Sequence, residues 1–217
     1  MGYYSRWNKM KKVLIIAFDF PPCHSAGVQR SLRFAEFLPE FGWQPLVVTT
    51  TKDVHERRDD SLTIPDYVQN KLIRAKAVDA TKKYAINGKY FQWMAIPDRY
   101  WPWYFDAIKQ ASKLIEKERP DAIWSTYPAM TTHLIAKKLH KKYKLPWIAD
   151  YRDPLQCHYD KNAQGYASIK KWLEKGIIAH ADKVVMTSEH AAEFYRGLFS
   201  QYDFEKFTAI ENGFYQQ

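Results

Sequence analysis

Cysteine is almost missing from this chain: only Cys23 and Cys157 occur among 217 residues, too far apart for a metal or redox spacing. That scarcity argues against a disulfide-framed module and fits two reduced thiols in a cytosolic protein. Long apolar runs are missing too, and none approaches the roughly 20 residues of a membrane span. The opening MGYYSRWNKMKK is basic and aromatic without a hydrophobic centre, which is not the pattern of a signal peptide. Arg6 stands where N-myristoylation needs Ser or Thr. His24, His55 and His190 fall in no ligand spacing. There is no Gly-x-Gly-x-x-Gly loop, since Gly27 stands alone, and no internal repeat.

What is present is a compact-domain composition, 46% hydrophobic with a net charge of +9. Lysines gather at Lys9 to Lys12, Lys137 to Lys144 and Lys170–Lys171. Such runs read either as solvated helix faces or as attraction to an anionic partner. No nucleic-acid-binding signature accompanies them, so no nucleic acid partner is expected and an anionic membrane surface is the better candidate.

Strands and helices alternate along the chain, the pattern of a single doubly wound α/β domain with a mainly parallel sheet. Val13 to Phe20 reads as a strand buried on both faces, ended by Pro21–Pro22. A Ser25-Ala26-Gly27 loop then leads to a helix from Arg30 to Phe41. That helix turns Leu32, Phe34, Ala35 and Leu38 inward and Arg30, Arg33, Glu36 and Glu40 outward, with Gly42 as its stop. Further strands are expected at Pro45 to Thr51, Lys71 to Ala77, Ala122 to Thr126, Pro146 to Tyr151, Lys183 to Thr187 and Phe207 to Ile210. Helices are expected at Phe105 to Glu118, Met130 to Tyr143, Ile169 to His180 and His190 to Leu198, with an irregular aromatic stretch from Ala80 to Trp103.

Ligands of such sheets bind beyond the carboxyl ends of the strands. The residues there are Ser25, Ala26 and Gly27; Ser125 and Tyr127; Asp150, Arg152 and Asp153; Thr187, Ser188 and Glu189; and Asn212 with Gly213. Their convergence on one edge is the strongest functional signal. A small-residue loop at a helix N-terminus favours an anion. In ADYRDP, two carboxylates and an arginine offer a base, an orienting pair and a hydroxyl acceptor, or alternatively an Arg152–Asp153 pair that caps the next turn.

Phe20-Pro21-Pro22, Ser25-Ala26-Gly27, Arg33-Phe34 and Phe41-Gly42-Trp43 together resemble the opening of glycosyltransferase family 4, of GT-B architecture. The resemblance continues through Pro146-Trp147 with ADYRDP, the Pro97 to Trp103 segment, LEKGIIAHADKVVMTSE and IENGF. It implies the Rossmann-like, acceptor-side half of a retaining transferase. The implied partners are a nucleotide-sugar donor and a glycan or lipid-linked acceptor, with no metal or other cofactor needed for the chemistry. Asp150, Arg152 and Asp153 are then the catalytic candidates and Ser25 to Gly27 the loop facing the donor phosphates. Ser125, Tyr127, Thr187, Ser188, Glu189, Asn212 and Gly213 become candidates for substrate contact. Many members carry a histidine after the fifth strand; here Arg152 falls near that place and His158 several residues on. Residues 1–217 correspond to the first half of such a protein, with the donor-binding domain outside them and a cytoplasmic or membrane-peripheral location implied. A non-catalytic domain that binds a glycan, lipid carrier or protein partner is the other reading.

Overall fold

The doubly buried runs assemble into one seven-stranded sheet in the computed structural model, which describes residues 10–87, 89–155 and 164–213. The strands are β1 (Lys11–Ala17), β2 (Trp43–Thr50), β3 (Leu72–Ala75), β4 (Ala122–Thr126), β5 (Trp147–Arg152), β6 (Lys183–Met186) and β7 (Phe207–Ala209). All neighbouring strands run parallel, in the order β3-β2-β1-β4-β5-β6-β7. This is a Rossmann-like sheet whose order reverses between β1 and β4.

Five longer helices cover it: α1 (Ala26–Phe37), α2 (Trp103–Glu118), α3 (Met130–Tyr143), α4 (Gln164–Ile178) and α5 (Glu189–Leu198). Leu32 and Ala35 of α1 pack with Ile15, Val47 and Trp124 on one face. Residues of the other four helices pack with Leu14, Ile16, Leu46 and Ile123 on the opposite face. Right-handed crossovers require this division, because the chain first winds from β1 toward β3 and then from β4 toward β7. Phe34 fixes the first face by stacking on Trp124 at 4.9 Å.

Local chemistry sets the boundaries. Ser25 caps α1, its hydroxyl accepting from the Gly27 amide at 3.2 Å, so the helix starts at Ala26 rather than at Arg30 as the sequence suggested. The regular helix stops at Phe37, and a 3-10 turn, Leu38–Phe41, runs to Gly42 at φ 79°, a left-handed position that favours glycine. β1 ends at Ala17, three residues short of Phe20. The irregular 80–103 stretch holds a helical turn at Ala80–Lys83 and a 3-10 turn at Gln92–Ala95. Asp98 then reaches α3, accepting from both the amide and the hydroxyl of Thr131 at 2.7 Å, and so caps a helix distant in sequence. Trp103 is fully buried, against Phe18. Lys9, Cys157 and His158 lie outside the described residues.

Candidate functional site

The parallel register brings the expected loops to one edge. Ala17 pairs with Thr126, Thr126 with Asp150, and Arg152 with Met186. The loops after β1, β4, β5 and β6 therefore meet where the strand order reverses. An irregularity in the β5–β6 pairing between Asp150 and Arg152 coincides with left-handed backbone at Arg152, φ 65°.

At the floor of this edge lies a buried ion pair that sequence reasoning placed wrongly. Arg30 does not face solvent: it is 6% exposed and grips Asp150 with two bonds of 2.9 Å, from Nε to Oδ2 and from Nη2 to Oδ1. Thr126 adds a third contact, its hydroxyl donating to Asp150 Oδ2 at 2.8 Å. Fully buried and with both oxygens engaged, Asp150 acts as a fixed anchor. The signal was available. Once Ser25 is taken as the cap, Gly27, Arg30, Ser31 and Phe34 fall on one helical stripe.

Arg152 stands above that anchor. Its Nε donates to Thr126 Oγ1 at 3.0 Å, so Thr126 joins the two residues. Its Nη1 occupies the space beside Gly27: a Cβ at position 27 would lie 2.0 Å from Arg152 Nη1 and 2.7 Å from Asp19 Oδ2. Gly27 lies within α1, so its backbone suits any residue, and what a side chain lacks there is room. Burial pulls the Arg152 guanidinium below its ordinary pKa, against the opposite pull of Asp150 and Asp19. Its Nη2 is buried with no hydrogen-bond partner among the described residues.

The remaining candidates divide. Ser25 donates to Asp19 Oδ2 at 2.5 Å while capping α1, and Ala26 beside it is exposed. Asn212 accepts from Arg30 Nη1 at 3.0 Å, and nothing crowds Gly213. Thr187 bonds the Arg152 carbonyl through both its amide, 2.8 Å, and its hydroxyl, 2.9 Å. Asp153 is exposed and meets the Thr187 hydroxyl at 3.4 Å. Tyr127 is half-buried, and burial, then Asp98 and Asp153, raise its pKa. Ser188 caps α5 through the Ala191 amide, and exposed Glu189 pairs with Arg196.

Ser125 is drawn the other way, beneath the cleft. It is fully buried, takes a hydrogen bond from Trp147 Nε1 at 2.8 Å and shares another of 2.8 Å with His133 Nδ1. His133 stacks on Tyr151 at 4.7 Å. Burial, with Arg152 adding to it, lowers the His133 pKa to about 3. The unfolded chain therefore binds a proton that the folded one refuses between pH 6.5 and about 3, so stability falls as pH drops through that window. The expected contribution approaches about 1.4 kcal/mol per pH unit. Urea unfolding from pH 6.5 to 4 should show a shallower loss in His133→Phe than in the wild type; parallel slopes would refute the assignment.

Asp19, Arg30, Cys23 and His55 are the chemistry-bearing residues that spacing alone did not reveal. Among the described residues no helix is long and apolar enough to cross a membrane.

The geometry has counterparts. Sucrose-phosphate synthase from Thermosynechococcus elongatus superposes with a TM-score of 0.64 at 14% identity, over 94% of this chain and 48% of that one. UGT71G1 of Medicago truncatula, solved with UDP-glucose, gives 0.56 at 9% identity over 96% and 52%. UGT2 of Phytolacca americana, solved with UDP-2fluoro-glucose and pterostilbene, gives 0.57 at 8% over 92% and 53%. At such identities the likeness is one of fold, and this chain spans about half the length of these proteins. No curated protein matches the sequence at a significant level. The profile of Glycosyltransferase Family 4 matches residues 27–215, which hold six of the seven strands, β2 to β7, and the chain belongs to that family.

Proposed function

We propose that this chain supplies the acceptor-side half of a retaining glycosyltransferase, which moves a sugar from a nucleotide-sugar donor to a glycan or lipid-linked acceptor. The observation that carries the reading is the Arg152 guanidinium, whose Nη1 lies beside the first turn of α1 and whose buried Nη2 has no hydrogen-bond partner among the described residues. A guanidinium and a helix N-terminus both favour an anion, and the diphosphate of a sugar donor is one that grows more negative as the glycosidic bond breaks. Arg152 and the Ser25–Gly27 turn face that leaving group, while Asp150 positions Arg152 through Thr126. Asp153 and Tyr127, at the open rim, meet the acceptor. The transfer itself uses no metal, and the donor's nucleotide is gripped by a second domain outside these residues.

The acceptor side carries an exposed apolar surface, with Ile86, Phe91, Trp93 and Phe105 each more than half exposed. Lys82, Lys83 and Lys89 lie along the same stretch. Aromatic rings flanked by lysines suit an anionic membrane face, where each lysine contributes on the order of 1 kcal/mol.

One assay tests this reading. The 217-residue chain is expected to transfer no sugar from UDP- or GDP-sugars to an acceptor displayed on anionic vesicles. The longer reading frame is expected to transfer it, and to leave the vesicles as salt rises. Transfer by the short chain would overturn the division of labour. Inactivity of the longer protein would favour the non-catalytic domain, and salt-independent binding would remove the electrostatic contact.

A further inference from the structure

Three metal-ligating side chains meet next to Arg152, drawn from two separate segments. Asp19 follows β1, Cys23 follows the Pro21–Pro22 pair, and His55 closes the turn after β2. One ligand atom from each lies within 4.8 Å of the other two, and the residues are only 5%, 5% and 7% exposed. We propose that Asp19, Cys23 and His55 hold one divalent cation of the zinc class.

The donor set selects the ion. A thiolate, an imidazole and a carboxylate suit Zn²⁺ and disfavour Mg²⁺ and Ca²⁺, which take oxygen ligands. With metal–ligand bonds of about 2.0–2.3 Å, donors around a tetrahedral ion stand roughly 3.5 Å apart. Cys23 Sγ already lies 3.7 Å from Asp19 Oδ1, so that edge needs almost no adjustment.

The seat is held by backbone and by outer partners. The His24 amide bonds the Arg57 carbonyl at 3.0 Å and the Asp59 amide bonds the Pro22 carbonyl at 2.7 Å, tying the two ligand-bearing segments together. Thr50 Oγ1 lies 2.8 Å from His55 Nε2, and the ring edge rests on Phe18. Ser25 holds the other oxygen of Asp19. Such partners orient ligands before a metal arrives.

Charge balances as well. Without a cation, burial and Asp19 push the Cys23 thiol up to about 12. A cation displaces that proton to solvent as the metal–sulfur bond forms, so the seat gains one net positive charge rather than two. Asp19 offsets it, which matters because Arg58, Arg74 and Arg152 stand nearby. Three protein ligands leave a fourth position for water or an exchangeable oxygen. This inference needs nothing from the transferase reading.

The test uses the intact chain, stripped with chelator and titrated with Co²⁺ and then Zn²⁺. The expected result is one equivalent of metal per chain, and a cobalt spectrum with thiolate charge-transfer and tetrahedral bands. Cys23→Ser should lose the charge-transfer band, His55→Gln should bind at least tenfold more weakly, and Cys157→Ser, which removes the only other cysteine, should change neither. If Cys23→Ser fails to fold, the wild-type spectrum decides alone. Sub-stoichiometric metal without the sulfur band, or a band lost in Cys157→Ser instead, would overturn the site.

Discussion

Replacing Asp150 with alanine should lower stability by about 3–5 kcal/mol, the usual effect of leaving one member of a buried pair uncompensated. For a domain of this size that is a fall of roughly 6–20 °C in melting temperature. The stranded group is Arg30, 6% exposed and now facing apolar Phe34 and the sheet without its carboxylate. Arg30→Met should be similarly damaging, because it buries an unpaired Asp150. The double variant Arg30→Met/Asp150→Leu should recover most of the loss, since a well-packed apolar pair removes both charges together. Urea unfolding of the four proteins forms a closed cycle. A loss below about 1 kcal/mol for Asp150→Ala would mean that the pair is not buried as described.

Gly27→Ala should do the opposite, sparing the fold and disabling the site. Alanine is the better helix former by up to about 1 kcal/mol, and Gly27 lies inside α1. Yet the new methyl would sit 2.0 Å from Arg152 Nη1, and the atoms that must give way are the far ends of two side chains. Arg152 therefore leaves its seat while the backbone stays. On the proposed function, losing one charged hydrogen bond to the donor should reduce kcat/KM for the nucleotide sugar roughly ten- to hundredfold, measured in a protein that also carries a donor-binding domain, with the melting temperature almost unchanged. Equal kcat/KM for both proteins would remove Arg152 from the donor site. A collapsed melting temperature would make Gly27 a purely structural residue.

These contrasts show what the sequence could and could not reveal. The strands were legible because runs such as Val13 to Ala17 are apolar at every position, which a doubly covered parallel sheet requires. The convergence of loops was legible because topology alone dictates it. Arg30 was misread because charge was taken as a sign of exposure. Its partner lies 120 residues away, a separation no local pattern reports. Ser125 was counted with the candidates for substrate contact because position after a strand does not say which way a hydroxyl turns; Trp147 and His133 decide that. Gly27 was read as part of an anion-facing loop; what no local pattern reported is that Arg152 and Asp19, distant in sequence or across the Pro21–Pro22 turn, crowd the position a Cβ would take.

The guanidinium of Arg30 has one more pair of partners, the Asn212 side chain at 3.0 Å and the Glu211 carbonyl at 3.4 Å, on the segment that follows β7. One rigid, planar group is thus shared between the interior of the sheet and the residues by which the chain departs from it. The departure cannot swing freely: turning it away from α1 takes hydrogen bonds from the same fork that steadies Asp150 and, through Thr126, Arg152. Residues 211 and 212 and the Asp150–Thr126–Arg152 cluster thus answer to one lever, with its fulcrum at residue 30.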